Sequence, residues 1–284
     1  MKYYVSLLAL GDNLISLSLL DKLDYKINIL GTKYTKNIAK LIEKEDKFNI
    51  EIIYDKIPAF YDIKKQGKFK AIKEFYSFVK YIKKNNIDEL IFEKKDFRSS
   101  LVSFFTNVKV SYPNTIESKV YKNRKELIEK CYEQDISLNS YKLNLNIPKK
   151  IVINPLTREL YRNIKHEHLT YMIDSLVKYG YEIYLIDIEK KYTDLEKKVE
   201  HYLTNTTLED VKNLINNCDL YIGGDSFLIH LAYYLKKNYF MVFYRDNDYF
   251  LPLNIEESFY IKAHNSDDIK KELDEKFKNI GLVK

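Results

Sequence analysis

Three short segments of this 284-residue chain carry residue types that can do chemistry. The first is Gly11-Asp12-Asn13, directly after the apolar run Tyr3 to Leu10. Gly11 permits a tight turn. A carboxylate at the end of a strand can take a proton as a general base, or it can cap the following helix by accepting from free N–H groups. The second is Gly223-Gly224-Asp225-Ser226, between the run Leu220 to Ile222 and a helical pattern that begins at Phe227. Two glycines allow close backbone approach, and a helix start offers oriented N–H groups and a dipole that favour an anion such as a diphosphate. Ser226 adds a hydroxyl. His230, one turn into the helix, either faces the same anion or is a hydrogen-bonded core histidine. The third is Asn154-Pro155-Leu156-Thr157-Arg158-Glu159-Leu160-Tyr161-Arg162. Planar guanidinium groups suit phosphate oxygens, although arginines here could equally be solvated surface residues.

The elements that must position these residues follow from hydrophobic periodicity. The pattern predicts strands at Tyr3 to Leu10, Lys26 to Leu30, Ile50 to Tyr54, Glu89 to Phe92 and Val108 to Ser111. Helices are expected at Leu14 to Leu23, Tyr34 to Glu43 and Phe69 to Lys84. A polar stretch from Gln134 to Pro148 reads as a linker. The rhythm then restarts, with strands at Lys150 to Asn154, Glu182 to Asp187, Leu220 to Ile222, Phe240 to Tyr244 and Phe259 to Lys262. Helices are expected at His166 to Tyr179, Leu208 to Asn217, Phe227 to Lys236 and Ser266 to Lys278. Repeated βα units imply parallel sheets with right-handed crossovers and ligands at the carboxyl ends of the strands. The expected fold class is α/β, with two Rossmann-like domains, residues 1–140 and 141–284, facing across a cleft.

Composition narrows the function classes. Hydrophobic residues make up 45% and charged residues 31%, enough for real cores under a solvated surface. No apolar run approaches the roughly 20 residues of a membrane-spanning helix. No signal peptide is visible, so the expected location is cytoplasmic, or peripheral at the cytoplasmic face of the inner membrane. Cys131 and Cys218 form no CxxC pair and read as reduced thiols. Residues 1–148 hold 27 basic and 19 acidic residues, so the first half is distinctly basic. That asymmetry suits an anionic partner, or simply a lysine-rich surface.

The residues resemble glycosyltransferase family 9, the ADP-heptose:lipopolysaccharide heptosyltransferases. A Gly-Asp follows the first strand. Asn163-Ile164-Lys165-His166-Glu167-His168-Leu169 is similar to the family's His-Trp-Pro-x-x-x-Trp stretch. Cys218 to Ala232, with Asp225-Ser226 and His230-Leu231-Ala232, resembles its D-L-x-I-x-x-D-[ST]-G-x-x-H-L-A motif. The resemblance implies a GT-B scaffold and an inverting, metal-independent transfer from a nucleotide-diphosphate sugar to a glycan acceptor. The sugar would be heptose in the family's own pattern, and the acceptor of lipopolysaccharide or lipooligosaccharide type. It further implies that Asp12 is the general base, that Arg162, where the family has lysine, offsets charge on the leaving diphosphate, and that Thr157, Arg158, Gly224, Asp225, Ser226 and His230 serve the donor. Asn13, Lys64, Lys65 and Lys68 are the candidate acceptor contacts. Phe227 replaces the family's glycine, and the Pro and Trp of the basic stretch are absent. These departures leave an alternative, a non-catalytic GT-B-like protein that binds nucleotide or glycan.

Other spellings carry less. Asp246-Asn247-Asp248 has the DxD form of metal-dependent transferases, and His166 and His168 are two apart, so they diverge on a helix. The lysines from Lys64 to Lys70 open a helix rich in Tyr and Phe. Their helical spacing points to core packing rather than to base stacking on nucleic acid. No metal, cofactor or nucleic-acid partner is expected.

Overall fold

A computed structural model describes residues 1–113, 120–137, 148–244, 250–252, 255–263 and 268–283. Most of the expected linker and the whole Asp246-Asn247-Asp248 triplet lie outside the described residues. The chain divides into two compact units, Met1–Leu138 and Asn139–Lys284.

The first unit runs β1 (Lys2–Ser6), α1 (Leu10–Leu20), β2 (Ile27–Thr32), α2 (Lys33–Leu41), β3 (Phe48–Tyr54), α3 (Ile63–Gln66), α4 (Lys68–Lys84), β4 (Glu89–Phe92), α5 (Phe97–Thr106), β5 (Lys109–Ser111) and α6 (Val120–Tyr132). Its five strands are all parallel, in the order β3-β2-β1-β4-β5. Strands covered on both faces read as continuous apolar runs, which is why YYVS and LIF were legible as strands. α1 is buried from Asn13 through Leu20, because it packs against α2 and α6 as well as the sheet. α2 and α5 begin with reciprocal caps, Thr32 with Thr35 and Asp96 with Ser99.

The second unit runs β6 (Lys150–Asn154), α7 (His166–Lys178), β7 (Glu182–Ile186), β8 (His201–Leu203), α8 (Leu208–Asn216), β9 (Leu220–Gly224), α9 (Phe227–Tyr234), β10 (Tyr239–Phe243), β11 (Tyr260–Lys262) and α10 (Ile269–Asn279). Its sheet is again parallel, in the order β11-β10-β9-β6-β7-β8. The core under α7 and α10 is built from Ile151, Ile153, Leu169, Met172, Ile173, Ile183, Leu185, Phe240 and Phe277.

Two boundaries move in ways that matter. β1 ends at Ser6 and α1 starts at Leu10, so Gly11, Asp12 and Asn13 form the first turn of a helix rather than a loop. Ala9 occupies the N-cap, so Asp12 is not the capping residue and Gly11 makes no special turn. β9 continues through Gly223 and Gly224, which pair with β10, leaving only Asp225 and Ser226 as the turn.

Candidate active site

In an open parallel sheet, ligands collect at the carboxyl edge where the strand order reverses. In the first unit that point lies between β1 and β4. Asp12 follows β1 and Glu93 follows β4, so two carboxylates flank it. In the second unit the reversal lies between β6 and β9. The Thr157–Arg162 segment follows β6, and Asp225-Ser226 follows β9. Each cluster of candidate residues therefore sits at its own sheet's switch point.

Asp12 is held by an arginine from α6. Arg124 Nη2 donates to Asp12 Oδ1 at 2.7 Å and Nη1 donates to the Asp12 carbonyl at 2.7 Å. The same guanidinium lies 3.4 Å from Glu93 Oε2 and donates to Ser16 Oγ at 3.0 Å. Ser16 in turn donates to Glu93 Oε2 at 2.9 Å, and the Tyr4 hydroxyl stands 2.9 Å from Ser16 Oγ. Arg124 and Glu93 have side chains only 4% and 3% exposed, whereas Asp12 is 21% exposed and is the member that meets solvent. Burial pushes the Glu93 carboxyl up to about 7, partly offset by Arg124, while neighbouring Asp12 raises it further. Burial drives the Tyr4 phenol well above its usual range, so it stays protonated.

Asn13 does not face outward. Its Oδ1 accepts from Ser6 Oγ at 2.9 Å and Thr35 Oγ1 at 2.6 Å, and its Nδ2 donates to the carbonyls of Leu8 and Ala9, each at 2.9 Å. All four hydrogen-bonding positions of the carboxamide are spent in the interior. Asn13 fastens the β1–α1 turn that carries Asp12, and the acceptor contact expected of it has no free group to make it.

In the second unit the segment after β6 is tied down at several points. Asn154 Oδ1 accepts from Leu156 N at 2.9 Å, and Asn163 Oδ1 accepts from Thr157 N at 2.7 Å. The Thr157 hydroxyl donates to the Glu159 carbonyl at 2.8 Å, so it has lone pairs but no proton to offer a ligand. Arg162, in the single 3₁₀ turn Leu160–Arg162, places Nη1 3.3 Å from Asp225 Oδ2. Its side chain remains a quarter exposed. Arg158 is exposed and lies 3.8 Å from Glu159.

The glycines answer a packing demand. A Cβ on Gly224 would stand 2.9 Å from Thr157 Cγ2 and 3.0 Å from the Arg162 carbonyl oxygen. A Cβ on Gly223 would stand 2.6 Å from the Tyr221 hydroxyl. The close approach expected of this pair is thus to the protein's own β6–α7 segment and to Tyr221. Ser226 is the N-cap of α9 but its side chain makes no capping bond. His230, the fourth residue of α9, is buried at 4% exposure. Lys64, Lys65 and Lys68 are exposed on α3 and at the start of α4, apart from the first switch point in sequence and element.

His166 and His168 diverge as their spacing requires. His166 Nε2 lies 2.9 Å from Asp194, and His168 Nδ1 lies 2.7 Å from the Tyr244 hydroxyl. Burial lowers the His168 pKa. Among the described residues no group of three or more His, Cys, Asp or Glu side chains is arranged to hold a metal ion. Cys131 and Cys218 are both buried free thiols.

Arg124 and Glu93 were missed by sequence reasoning, and Asn163 was named only within the basic stretch, without its bond to Thr157 N. Tyr121, Arg124, Leu127, Ile128 and Cys131 form the buried stripe of α6 at helical spacing. An arginine in the middle of an apolar stripe signals a buried counter-charge, and that pattern was available in the sequence.

Comparisons with known proteins bear on the fold and the family. The solved structure of Escherichia coli heptosyltransferase WaaC with ADP-2-deoxy-2-fluoro heptose matches with a TM-score of 0.62 at 16% identity, over 92% of each chain. A family 9 glycosyl transferase from Veillonella parvula matches with a TM-score of 0.66 at 13% identity, over 98% of this chain and 96% of that one. E. coli ADP-heptose lps heptosyltransferase II matches at 0.57 and 12%, over 98% and 99%. At these identities the likeness establishes the shared fold, two Rossmann-like units of the GT-B class. No curated protein sequence matches. The family model described as glycosyltransferase family 9 (heptosyltransferase) matches residues 94–280. That match starts one residue past Glu93 and takes in the whole second switch point, and on it the chain belongs to glycosyltransferase family 9.

Proposed function

We propose that this chain is an inverting, metal-independent glycosyltransferase that moves a sugar from a nucleoside-diphosphate sugar to a glycan acceptor of lipopolysaccharide or lipooligosaccharide type. The observation that carries the reading is Asp12. It is an ionisable side chain at the first unit's switch point, open to solvent on one side and anchored by a buried arginine on the other. Asp12 takes the proton of the acceptor hydroxyl as that oxygen bonds to the anomeric carbon. The bond from that carbon to the diphosphate breaks on the opposite face, and its electron pair leaves with the diphosphate.

Charge then develops on the leaving group, and preorganised donors stabilise it most effectively. In this reading Arg162 and Arg158 supply cationic donors, and the first N–H groups of α9 beyond Ser226 supply the helix-end field. Asp225 orients Arg162 through their 3.3 Å pair. Gly224 lets the Thr157–Arg162 segment lie against β9, and His230 supports α9 from inside. Asn13 positions Asp12 through the backbone. Lys64, Lys65 and Lys68 belong to the basic first half that would meet an anionic acceptor. WaaC is solved with ADP and with an ADP-heptose analogue, so ADP-sugars, ADP-heptose first, are the donors to test. The place of action that fits is the cytoplasm or the cytoplasmic face of the inner membrane.

Thermal-shift titration with ADP, UDP and GDP and their sugars is the first experiment, because a ligand that binds only the folded state raises its melting temperature. Stabilisation by one nucleotide class, followed by release of the diphosphate when acceptor is added, supports transfer. Phe227, at the first position of α9 where the family motif has glycine, favours the second reading of binding without turnover. Stabilisation with no sugar transferred to any extracted acceptor would support that reading.

A further inference from the structure

We infer that the joint outer face of α4 and α5 is a docking surface for an anionic phospholipid bilayer. Apolar residues on α4 had been expected to be core, and the structure divides them. Phe78, Val79 and Ile82 are buried, but Phe69 is 92% exposed, and Ile72 and Tyr76 are each 69% exposed. Their spacing of three and four puts the exposed three in one stripe about 10 Å long, to one side of the buried face. On α5, Phe97 and Phe104 are 73% and 77% exposed at a spacing of seven, which places them on one side as well. Half-buried Phe75 bridges the two helices. Phe75, one turn from Ile72, lies 6.3 Å from Phe105, which lies 5.3 Å from Phe104. Scattered single apolar residues need no explanation, but a contiguous exposed patch of large aromatics does.

The charge around the patch names the partner. Residues 63–84 hold eight lysines and one acidic residue, Glu74, which is turned inward to the Ala59 N–H. Lys73 follows Phe69 by four residues and Lys80 follows Tyr76 by four, so each stands beside the aromatic row. Aromatic side chains fringed by lysines match a bilayer surface, where rings enter the headgroup boundary and ammonium groups meet lipid phosphates. A protein partner of ordinary surface would not call for so lopsided a fringe. No helix among the described residues is long and apolar enough to cross a membrane, so the contact is superficial. The inference stands on α4 and α5 and is independent of the transferase reading.

Co-sedimentation with vesicles tests it. The probes are phosphatidylcholine alone and phosphatidylcholine mixed with phosphatidylglycerol in roughly equal parts. The full chain should partition onto the mixed vesicles, more weakly as salt rises, and hardly onto phosphatidylcholine. Combining Phe69→Ser, Ile72→Ser and Phe104→Ser should weaken partitioning by about tenfold or more. Combining Lys73→Gln, Lys80→Gln and Lys83→Gln should erase the preference for anionic lipid. All six side chains are exposed, so the melting temperature should not change in either variant. No binding by the parent chain, equal binding to both vesicle types, or unchanged binding by both variants would overturn the inference. So would a dimer in solution that the apolar substitutions convert to monomer, since the face would then be covered by a second copy.

Discussion

Arg124 Nη2 stands 2.7 Å from Asp12 Oδ1, with the arginine fully enclosed and the aspartate open to solvent. One guanidinium thus ties the first turn of α1 to the end of β4 through Glu93. Removing one partner from a buried ionic cluster leaves the others uncompensated, which costs about 3–5 kcal/mol. Arg124→Ala should lower stability by about that amount in urea denaturation. Adding Glu93→Gln to it should restore part of the loss, because the orphaned buried charge is then gone.

Glu93 gives the cluster a pH signature. Its folded pKa, about 7, lies above the ordinary value of 4.5 because of burial. A raised carboxyl pKa favours the folded state fully below the unfolded value, and that contribution is lost as pH rises through the folded value. The denaturation midpoint should therefore carry a component that declines between about pH 4.5 and 7 and levels off above. Glu93→Gln should remove that component. Parallel curves for the two proteins across this range would contradict the assignment.

Gly224 tests the second unit. A methyl group there meets Thr157 Cγ2 at 2.9 Å and a backbone oxygen at 3.0 Å, and the latter cannot swing aside like a flexible side chain. Gly224→Ala should cost about 1–3 kcal/mol from overpacking. By displacing the Thr157–Arg162 segment it should also weaken nucleotide binding in calorimetry.

Much of the fold was legible because parallel strands buried on both faces announce themselves as apolar runs. Lys150–Asn154 and Glu89–Phe92 were placed to the residue. What was lost had physical reasons. α6 was missed because Arg124 interrupts its apolar stripe, and β8 because three residues at a sheet edge carry little pattern. The Gly-Asp and Gly-Gly pairs were read as loops because glycine usually marks turns, whereas one pair lies in a helix and the other in a strand. That Asp12, Arg162 and Asp225 follow the strands β1, β6 and β9 was legible from their order in the chain. Their partners Arg124 and Glu93 come from distant elements that only the folded sheet brings together.

Arg162 separates donor binding from structure. It is partly exposed and paired only loosely with Asp225, so Arg162→Ala should leave the melting temperature nearly unchanged. It should nevertheless weaken binding of nucleoside diphosphate by about tenfold, the scale of a charge-assisted hydrogen bond. Arg162→Lys, the residue of the family pattern, should recover most of the affinity.

The most direct measurement is nucleoside-diphosphate release from a nucleotide sugar, with extracted glycolipid acceptor and a chelator present, for the parent chain and Asp12→Asn. The account predicts release by the parent chain, a fall of about 10²–10⁴-fold in the variant, and an unchanged thermal shift with donor. Release by Asp12→Asn at the parent rate would contradict it.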